Sequence, residues 1–355
     1  MIKAFSILFI LIVAVSCNTK FSVNGEYDET PIVHMLLDPN EDVHFLKLNK
    51  TFLGDGDAND FAMVPDSSYF DQVEATIKEE VNGNITNTWI LEDTIIQNKE
   101  SGTFYYPEQK LYFFEANDLN EDATYKLHID IDNGRHIVEG ETKLVRGVGI
   151  NLPSQNQQLN FADNNVAQNG YNTQSIVFSE GEGTTFKAQI RFEYREHRPG
   201  DIENKEILWN LGSKDLSNIT TSSPSFAANG EVFYELVANR IEKDETVTRR
   251  TIKAFELILT AGSEDLNTYM LTNEPTSSLA QNKPTYSNVD GGLGIFSART
   301  SVNQYKPFQP ASNPNVRAFS INSTKELCQG QYTGYLKFCS DHTNDQSLGY
   351  DFACD

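Results

Sequence analysis

From Phe186 to Arg195 the chain alternates without a break. Phe186, Ala188, Ile190, Phe192 and Tyr194 fall on one side, and Lys187, Gln189, Arg191, Glu193 and Arg195 on the other. A period of two puts successive side chains on opposite faces of an extended backbone, whereas a helix would scatter these residues around its circumference. The segment therefore reads as a strand with one face in a core and one in water, the habit of antiparallel sheets. Tyr125, Leu127, Ile129 and Ile131 alternate likewise with Lys126, His128, Asp130 and Asp132, and Val73, Ala75 and Ile77 with Glu74, Thr76 and Lys78. Further strands are expected at 30–37, 42–53, 86–91, 110–115, 136–145, 171–178, 205–210, 230–241 and 251–261, with hairpin turns at Asn82-Gly83 and Asn133-Gly134. One short helix is expected, where Ser263 precedes Glu264-Asp265 and Leu266, Tyr269 and Met270 recur at helical spacing before Pro275. The fold class is all-β.

At about 150 residues per domain, a 355-residue chain suggests two β-rich units, one over 29–148 and one over 171–355. The Asn/Gln-rich stretch 149–170 reads as a linker or loop between them. Fifty acidic residues against 28 basic ones give a formal charge of −22. That balance argues against nucleic acid as a partner, because binding phosphates takes clustered Lys and Arg, and against electrostatic adhesion to anionic lipid. One local basic group stands out: Arg191, Arg195, His197 and Arg198, with Arg249, Arg250 and Lys253 further on. Glu193, Glu196 and Glu203 lie close enough to neutralise it, so cross-strand charge pairing is the expected arrangement.

The first residues carry a different signal. One lysine, an apolar stretch from Ala4 to Val15 and a small residue before Cys17 form a secretory signal peptide over 1–16 that ends in a lipobox. Cys17 is the expected lipidation site and 17–28 a tether, which would place the protein on a bacterial membrane. The apolar stretch falls short of the roughly 20 residues a spanning helix needs, and no second long apolar segment follows.

Chemistry is sparsely signalled. Cys328, Cys339 and Cys354 sit in the last thirty residues, where export permits a disulfide. Cys328 and Cys339, flanking the Gly-containing turn Gln329–Gly334, are the expected pair. The loop around Gly54-Asp55-Gly56-Asp57-Ala58-Asn59-Asp60 sets Asp55, Asp57, Asn59 and Asp66 at EF-hand positions one, three, five and twelve, the best calcium candidate in the chain. Asp60 stands where the sharp turn needs glycine, so a solvated acidic loop is the competing reading. Neither G-x-S-x-G nor H-E-x-x-H occurs, no phosphate loop is recognisable, and no cofactor is implied. Asp93-Thr94-Ile95 resembles the acidic-Thr/Ser-apolar signal for O-glycosylation of exported Bacteroidetes proteins.

The lipobox, Val23-Asn24-Gly25, the stretch His44–Gly54, Phe192-Glu193-Tyr194-Arg195-Glu196 and Tyr286-Ser287-Asn288-Val289-Asp290-Gly291-Gly292-Leu293-Gly294-Ile295-Phe296 together resemble a family of Bacteroidetes lipoproteins that carries only a domain-of-unknown-function name. The resemblance implies an outer-membrane, lipid-anchored protein with an immunoglobulin-like N-terminal sandwich and a second β-rich sandwich-like domain, often encoded beside TonB-dependent receptors. It implies no reaction and no catalytic residues. The expected function is an envelope accessory or binding protein, not an enzyme, that assists such a receptor in nutrient capture. A carbohydrate-active hydrolase with a carboxylate pair and a calcium-stabilised adhesin are the alternatives.

Overall fold

The computed structural model describes residues 28–53, 57–218, 223–273, 285–310, 313 and 316–355. Cys17 and Asp55 lie outside them. The strands are β1 (Pro31–Leu37), β2 (Val43–Lys50), β3 (Val73–Val81), β4 (Asn84–Ile90), β5 (Glu92–Ile96), β6 (Gln109–Glu115), β7 (Thr124–Ile131), β8 (His136–Lys143), β9 (Gly149–Leu152), β10 (Thr173–Ser179), β11 (Thr185–Arg198), β12 (Asp201–Asp215), β13 (Ser225–Asn229), β14 (Arg249–Gly262), β15 (Val289–Asp290) and β16 (Leu293–Pro307). The longer helices are α1 (Gly230–Arg240), α2 (Glu264–Asn273) and α3 (Ile321–Gln329). The fold is all-β and sandwich-like.

One eight-stranded sheet, in the order β12-β11-β14-β16-β1-β2-β6-β5, forms the spine. A five-stranded sheet, β15-β8-β7-β3-β4, covers one part of it: the Trp89 ring of β4 lies 5.3 Å from Phe114 of β6. A three-stranded sheet, β13-β10-β9, and α1 cover another: Phe178 of β10 meets Phe186 of β11 at 4.8 Å, and Phe233 of α1 meets Phe192 at 5.4 Å. The alternation read at 186–195 is this inner face, with Phe186, Ala188, Ile190, Phe192 and Tyr194 buried. Asn82 and Gly83, with φ of 51° and 80°, make the two-residue turn that joins Val81 to Asn84.

Three expectations need correction. The sheet is not interrupted at 149–170: β1 pairs in parallel with β16, from Ile32 opposite Leu293 to Leu37 opposite Ala298, so the N-terminal unit shares its spine with the C-terminal one. The 149–170 stretch is therefore no linker: it opens as β9 and continues as a covering loop, in which Leu159, Phe161 and Ala162 are fully buried and Leu159 exchanges main-chain bonds with Ala318 and Ser320. Finally, 230–241 is helix α1 and not a strand. The Asn229 side chain accepts the Val232 N–H as its cap, and Phe233, Tyr234 and Val237 share the buried face.

Candidate functional site

The Tyr286–Phe296 segment is where the chain changes sheets. Val289 and Asp290 pair with β8 in the five-stranded sheet, and from Leu293 the chain joins the spine beside β1. Asn288 fastens the crossing: its Nδ2 donates to the Phe296 carbonyl at 2.8 Å, and its Oδ1 accepts the Phe296 N–H at 2.9 Å. Gly294 lies at φ +110°, where a Cβ would stand 1.9 Å from the Val33 carbonyl oxygen. Glycine is thus required by conformation and by space at once. This segment of the sequence resemblance is therefore architectural.

The basic group on β11 and β14 is neutralised, as its glutamates suggested. Arg191 pairs with Glu256 and Glu206, Arg195 with Asp341, Lys253 with Glu193, and Arg198 with Glu196, Glu203 and Asp244. Arg250 is buried; it meets Glu196 Oε1 at 2.8 Å and donates through Nη1 to the Leu336 carbonyl at 2.7 Å. A second buried pair, Arg317 with Asp345 at 2.8 and 3.1 Å, donates also to the Phe319 carbonyl and Thr324. These groups are bonded to one another and to main chain, which makes them fasteners.

The cysteine pairing differs from expectation: the disulfide joins Cys339 to Cys354, with Cα atoms 5.0 Å apart. Ser340 and Ala353 form a parallel bridge that brings their neighbouring cysteines together, whereas Cys328 lies on the buried side of α3. Burial pushes the Cys328 thiol pKa up, so it is held as an inert thiol. The described part of the acidic loop, from Asp57 on, does not run as an EF-hand loop. Ala58–Ala62 is a helical turn capped by Asp57, whose Oδ1 accepts Asn59 N at 2.9 Å and Asn59 Nδ2 at 3.0 Å. Asp66 belongs to the next helical turn, Pro65–Ser68. No cluster of three or more His, Cys, Asp or Glu able to hold a metal occurs among the described residues. Thr94 is half-buried on β5, opposite Leu111 of β6.

Several hollows among the described residues are large enough for a small ligand, and two of them differ in chemistry, one charged and one lined by amides. A groove of about 540 Å³ is lined by Glu80, Glu141, Glu182, Glu264 and Asp265 with Lys126 and Lys143. Three of its carboxylates are engaged: Lys126 reaches Glu80 at 2.7 Å, the Tyr286 hydroxyl donates to Asp265, and the Arg146 guanidinium, bonded twice to Glu182, holds that carboxyl below the usual range. A glycosidase acid needs the opposite shift.

The other hollow, about 610 Å³, carries an array of amides: Asn156, Gln157, Gln158, Asn160 and Gln174, with Ser175 and Ser320, around Leu152, Pro153 and Val177. Lys306 of β16 fixes the wall of this hollow. Sealed from water, its ammonium donates to the carbonyls of Ser154, Gln155 and Gln157 at 2.6, 3.0 and 3.0 Å. Asn160 is set by Ser320 Oγ at 3.0 Å, while Asn156 and Gln158 are exposed. Nothing in the sequence marks Lys306, because its partners are main-chain carbonyls of a segment some 150 residues away.

Residues 19–304 match the family described as a domain of unknown function, DUF4249. The chain belongs to this family. No curated protein matches it. Among solved structures, the C-terminal globular domain of an oligosaccharyltransferase from Pyrococcus abyssi is similar at 12% identity and a TM-score of 0.25, over 70% of this chain. The chain spans 53% of that protein's length. At that score the likeness carries no argument about function. The DUF4249 match includes the sheet-crossing segment and stops within β16, before the disulfide-closed tail.

Proposed function

We propose that this DUF4249 protein is a lipoprotein of the Bacteroidetes outer membrane, anchored through Cys17, that captures a neutral polyhydroxylated nutrient beside a TonB-dependent receptor. The observation that supports capture is the amide-lined hollow with its Lys306-fixed wall. Paired amide donors and acceptors around a small apolar floor suit hydroxyl groups, which need both partners once desolvated. A wall held before the ligand arrives lowers the ordering cost of binding. The lipobox and the sequence resemblance support the anchor and the receptor, and an anchor raises the effective concentration of the protein at a membrane partner.

Calorimetric titration of the purified lipoprotein with neutral oligosaccharides is the test. Binding that weakens at least tenfold in an Asn156→Ala/Gln158→Ala variant is the expected result, as is co-purification of a TonB-dependent receptor from gently solubilised envelopes. Failure of the whole panel to bind, with no receptor recovered, would overturn the reading.

A further inference from the structure

Both ends of the sandwich built on the five-stranded sheet carry carboxylates, but exposed apolar side chains gather at one of them. At one end lie the turns 38–42, 82–83 and 116–123, which carry Asp38, Glu41, Asp42, Asp118, Glu121 and Asp122. At the other, β1, β3, β6 and β8 begin and β2, β5 and β7 finish, as their antiparallel registers require. The described chain enters at this second end. Asp28 and Glu29 reach Arg135 in the β7–β8 turn at 3.2 and 3.4 Å, and Thr30 and Thr51 bond to each other.

This entry end presents apolar side chains among its carboxylates. It is closed by the helical turns Ala58–Ala62 and Pro65–Ser68 and by the loop 97–108, joined where Tyr105 N–H donates to the Ala62 carbonyl at 2.8 Å. Leu53, Met63, Val64, Ile95, Phe104 and Tyr106 are exposed there, from 39% for Tyr106 to 63% for Ile95. They stand on loop tips and a strand end, and a hollow of about 240 Å³ between Pro65, Tyr69, Phe70, Tyr105 and Lys110 takes in only Ile95 of the six. The Lys99 ammonium lies 5.8 Å from the centre of the Phe104 ring. An apolar body beneath an amine that can rise to the headgroups is the arrangement of a residue at a lipid–water boundary.

We infer that this end is a membrane-contact face, whose six apolar side chains enter the headgroup and upper acyl layer of the bilayer that holds Cys17. The inference rests on the lipid anchor proposed above. Only residues 18–27 separate Cys17 from Asp28, a reach of at most ~36 Å when fully extended. The described chain begins at this end, so the anchor lies nearer to these apolar side chains than to the turns at the opposite end. Asp57, Asp60, Asp66, Asp71 and Glu100 lie on the same segments, so the fitting surface is zwitterionic, and anionic headgroups are repelled.

The experiment uses the full lipoprotein in protein-free vesicles of phosphatidylcholine and phosphatidylethanolamine. An environment-sensitive dye is attached at Phe104→Cys or, as the far-end control, at Glu41→Cys. The added thiol is the reactive one, since Cys328 is buried and Cys339 and Cys354 are bonded. Headgroup-linked nitroxide lipid should quench the dye at 104 several-fold more than the dye at 41. That difference should shrink in Met63→Ser/Val64→Ser and when phosphatidylglycerol is added.

Mass measurement of the N-terminal peptide separates the two readings. Lipidated Cys17 with an unquenched dye at 104 overturns the contact face alone, whereas unmodified Cys17 overturns the anchor and the face together. A dye unquenched in vesicles but shielded in native envelopes would assign the face to a protein and overturn the lipid assignment.

Discussion

Replacing Glu196 by Ala is the most direct test of the claim that the charges of β11 and β14 act as fasteners. The Arg250 side chain is 2% exposed and that of Glu196 7%, so water cannot take over the role of either partner. Glu196 also receives Arg198 at 2.7 Å through its second oxygen, and its removal leaves two guanidinium groups facing a void, one of them buried. Breaking such a pair from one side costs about 3–5 kcal/mol, or roughly two to four orders of magnitude in the folded-to-unfolded ratio. Glu196→Gln keeps shape and one acceptor oxygen, and should cost about 1–3 kcal/mol. Replacing both residues, Glu196→Ala with Arg250→Met, removes the stranded charge and should show a coupling of about 2–3 kcal/mol. Equilibrium denaturation in guanidinium chloride of wild type, Glu196→Ala, Arg250→Met, the double variant and Glu196→Gln, followed by tryptophan fluorescence, gives all five free energies. A cost below 1 kcal/mol for Glu196→Ala, or a cycle additive to within 0.5 kcal/mol, would refute the reasoning.

Gly294→Ala should abolish folding or cost more than about 4 kcal/mol, because the added methyl meets main chain and the backbone is left-handed. Gly102→Ala, with open space around it, should stay within about 0.5 kcal/mol, and equal yields and melting points would contradict the crossing geometry. Non-reducing peptide mapping should find Cys339 joined to Cys354, and opening that fifteen-residue loop by Cys354→Ser should cost about 3 kcal/mol; a Cys328–Cys339 peptide would refute it. Burial brings the Lys306 pKa down to about 8, below its unfolded value near 10.5. The unfolded chain therefore binds more protons between those values, and wild-type stability should rise with pH across that window relative to Lys306→Met. A difference flat from pH 7 to 11 would show that the three carbonyls keep the ammonium charged as readily as water does.

Strands with one wet face were legible in the sequence because burial on one side imprints a period of two. β16 was not, since Gly294 to Ala298 is buried on both faces and its neighbour β1 is parallel, conditions that erase alternation. Helix α1 was hidden by Val232, Phe233 and Tyr234, residues that favour strands in isolation; its cap Asn229 was the available signal. Neutralisation of the basic group could be anticipated because most of its partners are glutamates on β11, β12 and β14, although Asp244 and Asp341 lie off those strands. The disulfide could not, because it depends on a bridge between Ser340 and Ala353 that no spacing rule announces. The amide hollow is assembled from loop 152–160, β10 and Ser320, and composition had marked only the Asn/Gln-rich part of it.

The parallel pairing of β1 with β16 ties residue 32 to residue 293, which makes the contact order of this fold high and its assembly late. Until Leu293 to Ala298 have left the ribosome, β1 has a partner on one side only and the spine stops in an open edge. A chain with this topology must stay unfolded, or be shielded by a holding chaperone, for most of its synthesis. For the same reason the segment 29–148 expressed alone would present that open edge to other copies of itself, and is expected to associate instead of forming a soluble domain.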